Sequence, residues 1–484
     1  MKKTVLLFTL VSVILMFVSC TSHYEEEINQ VMEQQSVPLT RASDFLQDDV
    51  DYKVDSRLLA KYLRLSGKSM RQHSVIPLVE DGDTLAYCIQ YEDGWDIIAG
   101  DKRCAPEMIK SETGVCNVYD YDIQGLLGYI KNIRNSNSAE LVPAWEFISK
   151  PDERASSSIM PRGMGGPESF RIGMWRAIDT VLIDEETQIP HIIQAFWAQN
   201  QPWNMFTPYI NGEKSSVGCS VVAAGQIIHH YRKNNAMGVE FPTIAWPGNG
   251  TTIYPDEDEP GAMDALRWST MALNMADENY DQTALMLGYL GQHIMNVGYG
   301  VGSTEISIDG VEDAFDWGEL NYDSYNGYDW NRVHGSLMGG SPVCVYTSMR
   351  IDPQTAKHVY IIDRYKIKDT YYAINCWWDP DYQVSEEEYY SYDPSRFIET
   401  AGGEKEKVFE ESRIIYTYWG MNWGYANSSY DNRLYMSRSY TAGGMDDAGI
   451  IPSSDYIYPA FWASPIGETG NVQRIFYNFE NKLN

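Results

Sequence analysis

VGCSVVAAGQIIHHY, residues 217–231, sets a single cysteine at the head of a helical pattern. Val221, Val222, Ala223, Ala224, Ile227 and Ile228 put apolar side chains around most of the circumference, the distribution of a helix sunk in a core. Val217 and Gly218 belong to the approach, with glycine permitting a sharp turn. A cysteine at a helix N-terminus feels the positive end of the helix dipole, which favours thiolate over thiol. Cysteine is equally a small residue that cores often bury, so a nucleophilic reading requires a histidine elsewhere in the chain.

Eight histidines are available. His229 and His230 share the helix and stand roughly 15 Å from Cys219 at about 1.5 Å per residue, so they read as a cation pair at its C-terminus or as surface residues. His23 falls in the tether and His73 in the first domain, and His191, His293 and His334 sit in helical or loop contexts with no strand to aim them. His358 opens KHVYIIDRY, where Val359 and Ile361 alternate with Tyr360 and Ile362, and a core strand holds a side chain as a general base requires. Acyl transfer also needs donors where the oxyanion develops. The N–H of Cys219 is one, and WAQNQPWN, residues 197–204, offers Gln199 and Gln201. A further amide should fix the imidazole tautomer; MNWGY, 421–425, offers Asn422 beside Trp423, with Asn375 of INCWWDP, 374–380, as a rival.

The chain has 484 residues and a formal charge of -30, with 44% hydrophobic and 21% charged residues. That is folded-protein composition, long enough for two domains. The negative charge excludes nucleic acid as an expected partner and disfavours charge-driven adhesion to anionic membrane. MKKTVLLFTLVSVILMFVSC, residues 1–20, supplies another route to a membrane. Two lysines, an apolar run from Val5 to Val18 and then Ser19-Cys20 have the form of a signal peptide too short to span. The ending resembles a bacterial lipoprotein signal (residues 1–19), with Cys20 as the acylated residue; Phe17 keeps ordinary signal cleavage open. Such an anchor implies the bacterial cell envelope, with the outer membrane favoured, or otherwise secretion.

Residues 20–41 read as a polar tether. A compact segment follows, with a helical stretch in SRLLAKYLRL, strand-like TLAYCIQY and WDIIAG, and a helix near IQGLLGYIKNI. ISKPDERASSSIMPRGMGGPESF, 148–170, has the composition of a cleavable linker. Beyond it, LMLGYLGQHIMNVG and GVEDAFDW read as helices and SPVCVY, KHVYIIDRYK and TYYAIN as strands, an α+β arrangement. The acidic run DEDEP, 256–260, reads as a solvated loop, with a calcium site as the alternative. No CxxC or zinc-spaced Cys/His cluster occurs, so no metal or cofactor is expected. A disulfide among Cys88, Cys104 and Cys116 is open in an oxidising envelope, but sequence does not pair them.

WAQNQPWN, then VGCSVVAAGQII, then KHVYIID, then NWGY together resemble the streptopain family of papain-like cysteine peptidases. The resemblance implies a two-lobed papain-like catalytic domain, helical lobe and antiparallel β lobe, over 166–484. It implies Cys219 as nucleophile, His358 as base, Gln199 at the oxyanion, and Asn422 with Trp423 orienting and shielding the imidazole. GWDIIAGDKRCAPEMIKSETG, 94–114, resembles the family's propeptide, so 42–165 would be a small α/β-type inhibitory prodomain acting on its own chain, with protein or peptide substrates outside. GYGVGS, 298–303, resembles a cleft-lining loop. The chain departs from the family in Asp363-Arg364, where Asp-Gly is usual, and in the long interval between His358 and Asn422. A pseudo-peptidase, or an aromatic-rich surface binding or adhesion lipoprotein, stand as alternatives.

Overall fold

In the computed structural model the described residues are 52–68, 73–136, 141–149, 170–171, 174–233, 268–274, 277, 280–300, 304–305, 307–351, 354–380, 383–384, 406–424, 433–446, 449–457 and 471–482. Cys20, the tether, linker residues 150–169 and the acidic run 256–260 lie outside them. Residues Tyr52–Asn484 form one compact unit.

The front segment starts with helix Ser56–Leu65, whose first turn is capped by the Asp55 carboxylate accepting from the Leu58 N–H at 2.7 Å. An apolar stripe of Leu59, Tyr62 and Leu63 is buried. Strands Ser74–Glu80, Asp83–Gln90, Trp95–Ala99 and Glu107–Ser111 follow as an antiparallel meander. The first turn is Asp81-Gly82, with φ of 53° and 85°, the pair of left-handed residues that a two-residue hairpin requires. Helices Tyr121–Asn135 and Pro143–Ser149 complete the segment.

That meander continues into the rest of the molecule. Strand Arg433–Asp446 pairs with Glu107–Ser111, setting Leu434 opposite Lys110 and Tyr435 opposite Ile109. The sheet then runs through Glu406–Asn422, Gln354–Asp379, Val343–Ile351, Asn471–Asn481 and Leu320–Asn326, antiparallel throughout. Met174–Ile189 also pairs with Gln354–Asp379.

Alternation along one strand sorts the two cores, because successive side chains point to opposite faces. Val345, Tyr360 and Ile362 enter a core shared with Leu59, Trp145, Trp419 and Trp423. Cys344, Tyr346, Val359 and Ile361 enter a second core with Cys219, Val221, Ile227 and Phe315. Helices Cys219–Arg232, Tyr280–Tyr289 and Ile308–Trp317 supply that second core.

KHVYIIDRYK and TYYAIN are one strand, Gln354–Asp379, rather than two. The basic residues Arg364, Lys366 and Lys368, around the expected break, are buried instead of turning to solvent. Arg364 pairs with Glu112 at 2.8 Å, Lys366 with Glu186 at 2.7 Å and Lys368 with Asp184 at 3.1 Å. The front segment and strand Met174–Ile189 therefore cover a face that alternating charge would otherwise assign to water.

Candidate active site

Gly218 starts the Cys219 helix at φ 98°, a conformation that glycine adopts without steric cost. A Cβ there would stand 3.0 Å from the side chain of Thr304. Thr304 pairs with Tyr299 in the short hairpin that carries the described part of GYGVGS. That loop thus packs on the residue preceding Cys219 because the residue has no side chain.

The thiol of Cys219 is buried. Burial pushes it up to about 11, against the partly offsetting N–H groups of Val359, Ser220 and Cys219 itself. The dipole expectation for a depressed thiol is therefore outweighed here by desolvation. His358 is also buried, and burial lowers its imidazole to about 4. At neutral pH the arrangement holds a thiol and a neutral imidazole.

The two groups meet the strand differently. Cys219 touches the backbone of Val359, whereas the His358 ring lies over Trp423, centroids 5.8 Å apart and planes 23° apart. Tyr360, on the same strand face as His358, lies 4.5 Å from Trp423. Trp423 donates its Nε1 proton to the Tyr435 hydroxyl at 3.1 Å, and Tyr435 donates to Asp122 Oδ2 at 2.9 Å. The ring stack beside His358 is thereby tied to the front segment.

Asn422 stands opposite Ile361, three residues beyond His358. Its Nδ2 donates to the Ala195 carbonyl at 3.1 Å, and its Oδ1 accepts from the Gly424 N–H at 3.2 Å and from Gln226 Nε2 at 3.5 Å. Asn375 lies far along the His358 strand, opposite Val408 and Asp179, on the order of 50 Å away at about 3.3 Å per residue. Along the register Asn422 therefore stands three residues from the level of His358, and Asn375 seventeen. Gln199 is half-buried and its carbonyl accepts from the Val217 N–H at 2.8 Å, two residues ahead of Cys219. Gln201 lies exposed on the following turn.

Sequence reasoning missed Gln226. It is fully buried and donates to the Ala195 carbonyl at 2.7 Å as well as to Asn422. The available signal was a lone amide in a run of apolar residues, two turns beyond Cys219 on the same face. His191 was also passed over; its Nδ1 meets Asp363 Oδ1 at 2.9 Å, and Asp363 Oδ2 accepts from the Ile193 N–H. His229 requires correction. It is buried against the Trp268 carbonyl at 3.0 Å and its imidazole is lowered to about 4, chiefly by burial, so it is neither a cation nor a surface residue. The Asp363-Arg364 departure also gains a reason: Arg364 lies over Gly420, where a Cβ would come within 2.7 Å of its own, and bonds Glu112 in the front segment.

Residues 197–390, which contain Gln199, Cys219 and His358 but not Asn422, match the model of the Peptidase C10 family. A fragment of prointerpain A from Prevotella intermedia is similar at 13% identity and a TM-score of 0.41, covering 75% of this chain and 91% of that one. Active wild-type interpain A cysteine protease from the same organism is similar at 14% identity and a TM-score of 0.33, covering 60% and 94%. No curated protein matches. Residues 197–390 of the chain are thus similar to the Peptidase C10 family, the streptopain-type cysteine peptidases that its motifs resemble.

Proposed function

We propose that this chain is an exported cysteine endopeptidase made as a zymogen, with Cys219 as nucleophile and His358 as general acid and base. The observation that carries the reading is convergence. Residues from 199 to 422 gather along the first two turns of one helix: Gln199 at Val217, Cys219 at Val359, and Asn422 at Gln226. In the working form His358 takes the Cys219 proton, and the thiolate attacks the scissile carbonyl to give an acyl-enzyme. Gln199 and the Cys219 N–H hold the oxyanion. His358 then protonates the leaving amine and activates the water that releases the acyl group. Asn422 orients the imidazole, and Trp423 keeps that contact away from solvent.

The neutral thiol and imidazole belong to the latent form, in which residues 42–165 are the inhibitory prodomain and 166–484 the catalytic domain. Two features support latency. His358 lies against Trp423, and Trp423 is bonded through Tyr435 to the front segment. Substrates are proteins or peptides, and neither metal nor cofactor takes part. Residues 1–19 act as a lipoprotein signal and acylated Cys20, followed by the tether to residue 41, anchors the enzyme at the outer membrane.

The test compares residues 21–484 with a Cys219→Ala version by mass spectrometry during incubation. Shortening of the parent alone, within about 150–172, is expected. If neither shortens, and the parent still fails to cleave casein after an added protease has removed the front segment, the pseudo-peptidase reading replaces this one.

A further inference from the structure

The front segment brings two cysteines together and keeps the third apart. Cys88 lies in strand Asp83–Gln90, between Ile76 and Ile97 of the neighbouring strands, and is fully buried. Gln90, two residues on, faces the same side of the sheet. Its Oε1 accepts from the Cys116 N–H at 2.9 Å, while its Nε2 donates to the carbonyls of Gly94 at 2.9 Å and Gly114 at 3.1 Å. Those bonds hold residues 114–116 over the face into which Cys88 points. The Cys116 thiol, half-buried, is within hydrogen-bonding reach of the Cys88 thiol. Cys104 is fully buried elsewhere, its carbonyl accepting from Trp145 Nε1 at 2.8 Å.

We propose that Cys88 and Cys116 form a disulfide that closes the front segment, with an external disulfide, such as that of a thiol–disulfide oxidoreductase, as the oxidant. The more accessible Cys116 thiolate attacks the external disulfide, one external thiolate leaves, and a mixed disulfide remains on Cys116. The Cys88 thiolate then attacks the Cys116 sulfur and expels the second external thiolate. Two protein thiols are oxidised to one S–S bond, and the oxidant is reduced to two thiols that take up the two protons. The Cys116 contact and burial hold the Cys88 thiol above its ordinary range. Closure therefore belongs to the folding chain, before the strand is packed, and the finished bond is sheltered from reductant. The bond joins the sheet to the stretch leading into Asp120 and Asp122, and it limits the unfolded chain more than the folded one. It draws on export to an oxidising compartment and is independent of the peptidase reading.

The test uses residues 21–484 carrying Cys219→Ala, refolded with glutathione disulfide so that the outcome does not depend on where the chain resides. After denaturation and alkylation without reductant, trypsin places Cys88 on 72–102, Cys104 on 104–110 and Cys116 on 111–131. The expected product is 72–102 joined to 111–131, with Cys104 alkylated. Cys116→Ser should abolish the joined product and lower the melting midpoint by several degrees, to that of the reduced parent. Alkylation of both Cys88 and Cys116 in the parent, or joining of either to Cys104, overturns the proposal.

Discussion

Single residues in this molecule are governed by desolvation more than by the local dipole. At Cys219, burial outweighs three N–H groups and carries the thiol up to about 11. Alkylation of Cys219 in the unprocessed chain should therefore be slow at pH 7 and rise roughly tenfold per pH unit as the thiolate fraction grows. Removing the front segment should flatten that profile as a thiolate–imidazolium pair forms. Rates measured across pH 6 to 10 before and after processing check this, and identical profiles would contradict the latent reading. His229, lowered to about 4 by burial, makes an opposite-sided prediction. Its folded value lies below the ordinary histidine value, so the unfolded chain binds the extra proton first. The stability it contributes is present above about pH 6.5 and is lost as pH falls towards 4, on the order of 3 kcal/mol at the acid end. His229→Gln keeps a donor for the Trp268 carbonyl without the titration, so its melting midpoint should fall less than the parent's between pH 6.5 and 4. The helix that starts at Cys219 and the strand that carries His358 were legible from helix period and strand alternation. The protonation states were not, because burial depends on what long-range packing brings over each group.

At the scale of elements, the helix beginning at Cys219 is the most legible feature, and the turn before it is the most constrained. Gly218 combines φ 98° with Thr304 at 3.0 Å from a notional Cβ. Gly218→Ala should destabilise the Cys219→Ala chain by roughly 1–3 kcal/mol, read from urea unfolding, and should cut activity in the otherwise native enzyme. An unchanged unfolding midpoint would mean that the Thr304 hairpin does not rest on this turn. Gln226 ties the same helix to Asn422. Gln226→Leu leaves the Ala195 carbonyl and Asn422 short of a buried donor, a change that costs about 1–3 kcal/mol. In the processed enzyme it should lower kcat more than it raises KM, if Asn422 has the proposed role of orienting the imidazole. The long strand Gln354–Asp379 was harder to read. Arg364, Lys366 and Lys368 alternate in the pattern of a solvated face, and only their partners Glu112, Glu186 and Asp184, distant in sequence, explain why they are buried. Such pairing is invisible to any local window.

For the whole molecule, the decisive question is what holds the front segment to the sheet that carries His358. Arg433 is the centre of that contact. It is buried at 1% exposure, donates to both oxygens of Asp122 at 2.7 and 2.6 Å, pairs with Asp120, and lies 4.9 Å from the Trp95 ring. Every one of those partners belongs to the front segment, whereas Arg433 begins the strand next to Glu406–Asn422. Neither its sequence context nor that of Asp120 and Asp122 announces the pairing, because the partners are separated by more than three hundred residues. Removing one side of a buried ion pair costs about 3–5 kcal/mol by stranding the other. Arg433→Met strands two carboxylates at once, among them Asp122, which accepts from Tyr435, the bonded neighbour of Trp423. The front segment should loosen, and the chain should shorten faster than the parent within 150–172. Adding Asp120→Asn and Asp122→Asn removes the stranded charge, so the triple variant should regain much of the lost stability without regaining the Arg433 tether. Midpoints from thermal unfolding in the Cys219→Ala background separate stability from self-cleavage. Parent-like shortening by Arg433→Met, with a parent-like midpoint, would show that this contact does not restrain the enzyme and that latency resides elsewhere on the shared sheet.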